Sequence, residues 1–184
     1  MLTTPLLISS EEHFQLFVEK YNVAFGDHVL SIEFIKGCDE VFMFFDKDGN
    51  AVGGYSINTE QTYRLTSFAP DVIAAHLRKK AEGLPTYELG TIWVEESRRN
   101  GREKLEVWMH IFGSMISRAD QVMIGATESE EIYHFYHRYG MKLAYFGPLQ
   151  VHGDTLTDAW IIYTDDVLAS KVPEMYEALK KRFT

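Results

Sequence analysis

The chain has 184 residues, and 18 Lys+Arg against 27 Asp+Glu give a formal net charge of −9 with histidine neutral. That length suits one domain over 1–184, and 46% hydrophobic with 14% aromatic residues supplies a core, which excludes a largely disordered chain. The acidic balance argues against a nucleic-acid partner, because such proteins present a broad basic surface.

The single cysteine, Cys38, cannot form an internal disulfide, so a reducing, cytoplasmic location is expected. The opening MLTTPLLISS has no basic segment and only the short apolar run Leu6, Leu7, Ile8, and no later stretch has the length of a membrane span. Neither export nor a membrane partner is expected. There is no internal repeat, low-complexity tract or Pro/Gly/Ser-rich linker.

In chain order, Ser9 and Glu12 have capping-box spacing ahead of Phe14, Phe17, Val18 and Tyr21, which predicts a helix ending before Gly26. A strand is expected over Val29–Ile35. Val41–Phe45 and Ala51–Ile57 read as a hairpin around Asp46-Lys47-Asp48-Gly49-Asn50. The spacing of Asp46, Asp48 and Asn50 resembles a calcium loop, but the glycine falls one place early and Ile57 stands where the terminal glutamate belongs, so it reads as a turn. Between Asn58 and Thr86, Pro70 opens an expected helix through Val72, Ile73, Ala75, His76 and Lys79.

Tyr87–Val94 reads as a strand running into the polar segment Glu95–Gly101. From Leu105, the residues Trp108, Met109, Phe112, Met115 and Ile116 form the most regular helical face in the sequence. Gln121–Ala126 is a strand. Thr127 or Ser129 can cap the next helix, with Ile132, Phe135, Tyr136 and Tyr139 inward and Gly140 at its end. Met141–Phe146 and Thr157–Tyr163 are strands joined by a polar loop, and Pro173 opens a terminal helix. Strands outnumber a βα alternation, so the fold class is mixed α/β, a sheet with helices on its faces.

The strand-to-helix segment Val94–Lys104 concentrates Arg98, Arg99, Arg102 and Lys104 at a helix start, where unpaired amides and the macrodipole favour an anion. Gly101 lets backbone approach such a ligand closely. The alternative is a solvated basic loop capped by Asn100. His134 and His137 lie off the apolar stripe with no third ligand at a telling spacing, and Cys38 has no evident histidine partner, so no metal and no thiol nucleophile are expected.

Arg98-Arg99-Asn100-Gly101-Arg102-Glu103, set between a strand and a long helix, resembles the pyrophosphate turn of the GCN5-related N-acetyltransferase superfamily, whose last position is Gly or Ala where this chain has Glu103. Phe135-Tyr136-His137-Arg138-Tyr139-Gly140-Met141 is similar to the family's Phe-Tyr-x-x-x-Gly-Phe corner. The resemblance covers roughly Val29–Tyr163. It implies a central, mostly antiparallel mixed sheet and transfer of an acyl group, by default acetyl, from acyl-coenzyme A to a primary amine in a ternary complex. Arg98, Arg99, Asn100, Gly101, Arg102, Glu103 and Lys104 would then meet the pyrophosphate, and Ile92, Trp93 and Val94 the pantetheine. Tyr136 would protonate the leaving sulfur, although its place on the apolar stripe equally suits a core aromatic.

A base is sought on the same strand, where Glu88 alternates with Gly90, Ile92 and Val94 and so faces away from Tyr87, Leu89 and Trp93. Its alternative is an exposed or ion-paired glutamate, and Glu95, Glu96 and Glu128 are rivals. Gly53-Gly54-Tyr55, Tyr63-Arg64-Leu65 and Ser67-Phe68-Ala69-Pro70 are weakly similar to autoinducer and N-acyl amino acid synthases, whose Glu-x-Ser-Arg strand survives here only as Glu88. That branch implies an acyl-carrier-protein donor, for which Arg78, Lys79 and Lys80 offer a basic patch. The remaining expectations are a small-molecule amine as partner, room for a homodimer, and a coenzyme-A-binding sensor as the non-catalytic alternative.

Overall fold

The computed structural model describes residues 2, 4–25, 30–59, 83–99, 101–152 and 155–183. The elements in order are β1 (Leu6–Leu7), α1 (Glu11–Phe25), α2 (Ile32–Gly37), β2 (Glu40–Phe45), β3 (Ala51–Thr59), β4 (Thr86–Val94), a 3-10 turn at Glu96–Arg98, α3 (Arg102–Ile116), β5 (Val122–Thr127), α4 (Glu130–Arg138), β6 (Lys142–His152), β7 (Thr155–Thr164) and α5 (Val172–Phe183). The strands make one seven-stranded sheet in the order β1-β2-β3-β4-β5-β7-β6, antiparallel except where β4 meets β5. The mixed α/β class expected from the sequence is the one observed.

Local chemistry sets the element ends. Ser10, not Ser9, caps α1, its Oγ accepting from His13 N at 3.3 Å. The strand expected over Val29–Ile35 is instead α2 from Ile32, with residues 26–29 outside the described part. Ile32 and Phe34 alternate as strand residues do, but the Ser31 hydroxyl accepts from Phe34 N at 3.1 Å and starts a helical turn. The β2–β3 connection is a turn: Asp46 Oδ1 accepts from the backbone N–H of Asp48 and of Asn50, each at 2.9 Å, while Gly49 takes φ +84°. Ser129 caps α4, accepting from Ile132 N at 3.3 Å, and Gly140 leaves it at φ +89°. The polar loop expected between the last two strands is itself sheet, since β6 and β7 pair out to His152 and Thr155. The helix expected after Pro70 lies outside the described residues, as do Tyr63–Pro70, Arg78, Lys79 and Lys80.

The sheet separates two layers. On one face Tyr55, Ile57, Tyr87, Leu89 and Met123 pack beneath Val107, Trp108, Ile111, Phe112 and Met115 of α3, with Tyr136 of α4 and Leu179 of α5. On the other face Phe17, Tyr21 and Ile35 of α1 and α2 cover Val41, Met43 and Trp93. Further along that second face a smaller cluster joins Val122 and Ile124 to Leu149, Ile161 and Tyr163. No described helix is long and apolar enough to cross a membrane.

Candidate functional site: the seam between β4 and β5

β4 and β5 pair over only three residues, Thr86↔Val122, Tyr87↔Met123 and Glu88↔Ile124, although both strands continue beyond. The ladder stops beside a bulge. β3 pairs Ser56 with Gly90 and Gly54 with Trp93, so Tyr55 opposes both Thr91 and Ile92. Thr91 takes φ +45°, a left-handed conformation unusual for a β-branched residue, and its Oγ1 donates to Ser56 Oγ at 2.7 Å in the buried interior. Past the bulge β4 follows β3 and leaves β5. Gly125 marks the parting: a Cβ there would stand 3.3 Å from the Leu89 carbonyl oxygen.

The extra residue also exchanges faces. Glu88 lies opposite Tyr87 and Leu89, as alternation requires, but Ile92 and Val94 join the α3 layer with Tyr87 and Leu89, whereas Trp93 turns to the α1 layer. The expectation that Glu88, Ile92 and Val94 share a face is therefore wrong downstream of Thr91. Alternation assumes an unbroken period of two, and one bulged residue resets it. Gly90, a glycine inside a strand, was the available signal.

Upstream of the bulge, the second face carries a buried polar strip between two apolar clusters. Asn58 is the Cα partner of Glu88. Ser56 and Asn58 are fully buried and Glu88 is 4% exposed. Gly90 lies next to Ser56 and Glu88, where an added Cβ would find Ser56 Oγ at 3.7 Å and Glu88 Oε1 at 3.9 Å. Beside the strip, burial pushes the Cys38 thiol up to about 12, against smaller downward contributions from Ser56 and Asn58. The thiol stays neutral and donates to the Phe34 carbonyl at 3.4 Å, in keeping with a small interior residue. Sequence reading passed over Ser56, Asn58 and Thr91 because isolated polar residues in a strand look like its solvent face.

At the far end of β4 the chain turns into α3. Gly101 is the N-cap and supplies no side-chain cap, so the first amides of α3 are left to other partners. Most of the expected basic cluster is engaged internally. Arg98 Nη1 donates to Glu103 Oε1 at 3.1 Å and Nη2 to Asp46 Oδ2 at 3.3 Å, while Nε lies 3.8 Å from Glu95. Arg99 donates to the carbonyls of Val94 and Ala24 at 3.3 and 2.9 Å. Arg102 Nε donates to Glu106 at 2.7 Å. Lys104 makes no ion pair with the described residues, and Asn100 lies outside them. Hydrogen bonds from Asn50 hold the Asp46 carboxyl below the usual range, with Arg98 contributing least.

No protein-family model matches this sequence, and no curated protein does. Solved structures do match its backbone. FeeM, an N-acyl amino acid synthase from uncultured soil microbes, aligns over 98% of this chain and 97% of its own at TM-score 0.70 and 13% identity. Naa50 of Arabidopsis thaliana, in complex with the bisubstrate analogue CoA-Ac-MVNAL, aligns over 89% and 97% at TM-score 0.62 and 10% identity. YncA of Salmonella typhimurium, solved with its cofactor acetyl-CoA, aligns over 89% and 93% at TM-score 0.55 and 13% identity. The chain has the GCN5-related N-acetyltransferase fold.

Within that fold the two residues singled out for proton transfer fall on opposite sides of the sheet. Glu88 is on the α1 side, and Tyr136 is 6% exposed within the α3 layer, its ring edge-on to Trp108 at 5.8 Å and to Phe135 at 5.9 Å. Burial raises the Tyr136 phenol above its ordinary value, which keeps it protonated. Of the rival carboxylates, Glu95 leans on Arg98, Glu96 is exposed in the 3-10 turn and Glu128 follows β5. His134 is exposed beside Glu130 at 3.5 Å. Among the described residues no three His, Cys, Asp or Glu side chains gather as metal ligands.

Proposed function

We propose that this chain is an N-acyltransferase that moves an acyl group from a thioester to a primary amine while both are bound. The observation that carries the reading is the seam: the β4–β5 ladder ends after Glu88, and β4 carries a bulge at Thr91 just beyond, so the strand edges there are not paired with each other. An extended pantetheine arm has the shape and the alternating amides for such an edge, with Ile92, Trp93 and Val94 beside it. Backbone N–H groups aimed at the thioester oxygen would stabilise charge as it develops.

The chemistry then divides across the sheet. The amine enters from the α1 side and gives a proton to Glu88 as its nitrogen attacks the thioester carbon. The C–S bond breaks, and the departing sulfur takes a proton from the Tyr136 hydroxyl. Exchange with solvent afterwards moves the proton from Glu88 back to Tyr136. Acetyl-coenzyme A is the default donor, its pyrophosphate set over the Gly101 turn beside Lys104. A cytoplasmic site of action agrees with the free thiol of Cys38.

A second donor is favoured by one observation. Arg98 is shared among Asp46, Glu95 and Glu103, so little positive charge remains for a pyrophosphate. An acyl-carrier protein presents a single phosphodiester and relies less on that turn.

Thiol release from acetyl-, octanoyl- and palmitoyl-coenzyme A and from an acylated carrier protein, each with a panel of amines, tests the proposal. At least one donor should turn over. Tyr136→Phe should lower kcat about 100-fold with donor affinity retained, and Glu88→Gln should lower kcat/KM. Absence of turnover with every donor would overturn the reading.

A further inference from the structure

A pocket of about 310 Å³ opens between α3 and α5, lined by Met109, His110, Gly113, Ser114, Ser117 and Tyr176, none of which belongs to the seam or to the Gly101 turn. At its base the fully buried Tyr55 hydroxyl lies 2.7 Å from His110 Nδ1 and 2.7 Å from Ser114 Oγ. A phenol has one proton, so it donates to one of these partners and accepts from the other. When Tyr55 donates to His110, Ser114 donates to Tyr55, which leaves an N–H at His110 Nε2 and free lone pairs on Ser114 Oγ. When the protons run the other way, Nε2 is the acceptor and the Ser114 hydroxyl the donor. In both arrangements the two side chains offer the pocket one donor and one acceptor, and Nε2 has no partner among the described residues. The imidazole is fixed by Phe42 and Phe44, whose ring centroids lie 5.2 and 5.4 Å from its own, and burial lowers its pKa, which keeps it uncharged. Arg118, which donates to the Ser114 carbonyl at 3.1 Å, is already paired with Glu40.

We propose that this pocket is a second small-molecule site, separate from acyl transfer, for a flat, uncharged, bicyclic ring system that carries an N–H beside a C=O, a cyclic amide. Size sets the two rings: a cavity of about 150 Å³ accommodates benzene, and this one has about twice that volume. Shape favours a flat ligand. The Tyr176 ring packs closely on Gly113, where a Cβ would stand 3.2 Å from Cε2, and with the Met109 thioether it makes an aromatic, polarisable wall. Polarity selects the amide, whose N–H meets the acceptor and whose C=O meets the donor in whichever direction the Tyr55 relay runs. No lining side chain is charged, so a carboxylate or an ammonium would be desolvated here without an opposite charge to offset the cost. Ser117 marks the solvent rim, its hydroxyl donating to the Ser114 carbonyl at 2.9 Å.

Calorimetry on the full chain with 2-quinolone tests the site, because that probe is neutral, has two fused rings and carries its N–H beside its C=O. One molecule should bind per chain. N-methyl-2-quinolone, which lacks the donor, and quinoline-2-carboxylate, which adds a charge, should each bind about tenfold more weakly or worse, the effect of one hydrogen bond left unmade at a desolvated partner. His110→Phe keeps a ring against Phe42 and Phe44 and removes both nitrogens, while Ser114→Ala removes the other half of the pair. Each should weaken 2-quinolone about tenfold and change the N-methyl compound by less than about twofold. In nitrogen-15 spectra of the histidine rings, His110 should shift on titration ahead of the other six of the seven. Ser114→Ala carries the comparison if His110→Phe fails to fold. Absence of binding, equal affinity for the N-methyl compound, or full affinity retained in Ser114→Ala would overturn the site. Because the readout is binding and not turnover, each of these results leaves the acyltransferase reading where it stands.

Discussion

Glu103 folds back over the start of its own helix, one carboxylate oxygen accepting from Arg98 at 3.1 Å and the other packed against Gly101, where a Cβ would be 2.7 Å away. A helix N-terminus stabilises nearby negative charge, so a phosphate set at this turn would have to share the Arg98 guanidinium with this carboxylate.

Removing it should open the turn. Glu103→Ala is expected to tighten binding of desulfo-coenzyme A about tenfold, the effect of one charge-assisted contact released to the ligand, and Arg98→Ala should weaken it. Calorimetry at low and moderate salt measures both. An unchanged affinity in Glu103→Ala would mean that the pyrophosphate does not use this turn.

The bulge at Thr91 makes a second expectation. Thr91→Val keeps the branched shape but leaves Ser56 Oγ buried without its donor, at a cost of about 1–2 kcal/mol. Adding Ser56→Ala should recover most of that loss, because the orphaned oxygen goes too. Urea unfolding of the two single variants and the double variant closes the cycle, and additive losses would refute the coupling.

Gly54 tests packing between the sheet and α1. A Cβ there would lie 2.6 Å from Phe17 Cε2, 2.7 Å from the Phe42 carbonyl oxygen and 2.7 Å from Trp93 Nε1. Two of those atoms belong to buried rings and the third to backbone, so none can yield cheaply. Gly54→Ala should destabilise by about 2–3 kcal/mol, read as a drop in thermal midpoint. Gly37→Ala, with open space around it, should change little.

Cys38 gives a dependence on pH. Its thiol ionises at about 12 in the fold against an ordinary 9.0, so between those values the unfolded chain releases a proton that the folded chain keeps. Stability therefore falls as pH rises through that window. Cys38→Ala should flatten the decline in denaturation curves taken from pH 8.5 upward. For the same reason iodoacetamide at pH 8 should label the unfolded chain and spare the native one.

The parts of this molecule written in local periodicity were legible from its residues. The α3 stripe from Leu105 to Ile116, the hairpin at Asp46–Asn50 and the corner Phe135–Gly140 all emerge as read, since each depends on neighbours a few positions apart. What could not be read depends on distant partners. Arg98, Arg99 and Arg102 look like free charge in sequence and are spent on Asp46, Ala24 and Glu106, of which two come from elsewhere in the chain. Asn58 and Ser56 resemble outward-facing residues until β4 closes over them. Ile92 and Trp93 exchanged sides because a single bulged residue defeats counting by twos. Short segments such as α2 followed their cap rather than their hydrophobic pattern.

Arg99 reaches from the turn ahead of α3 to the carbonyl of Ala24 at the end of α1 while also holding the carbonyl of Val94 at the end of β4. One guanidinium thus ties the end of the first helix to the end of β4, and Arg99→Ala would release both carbonyls at once.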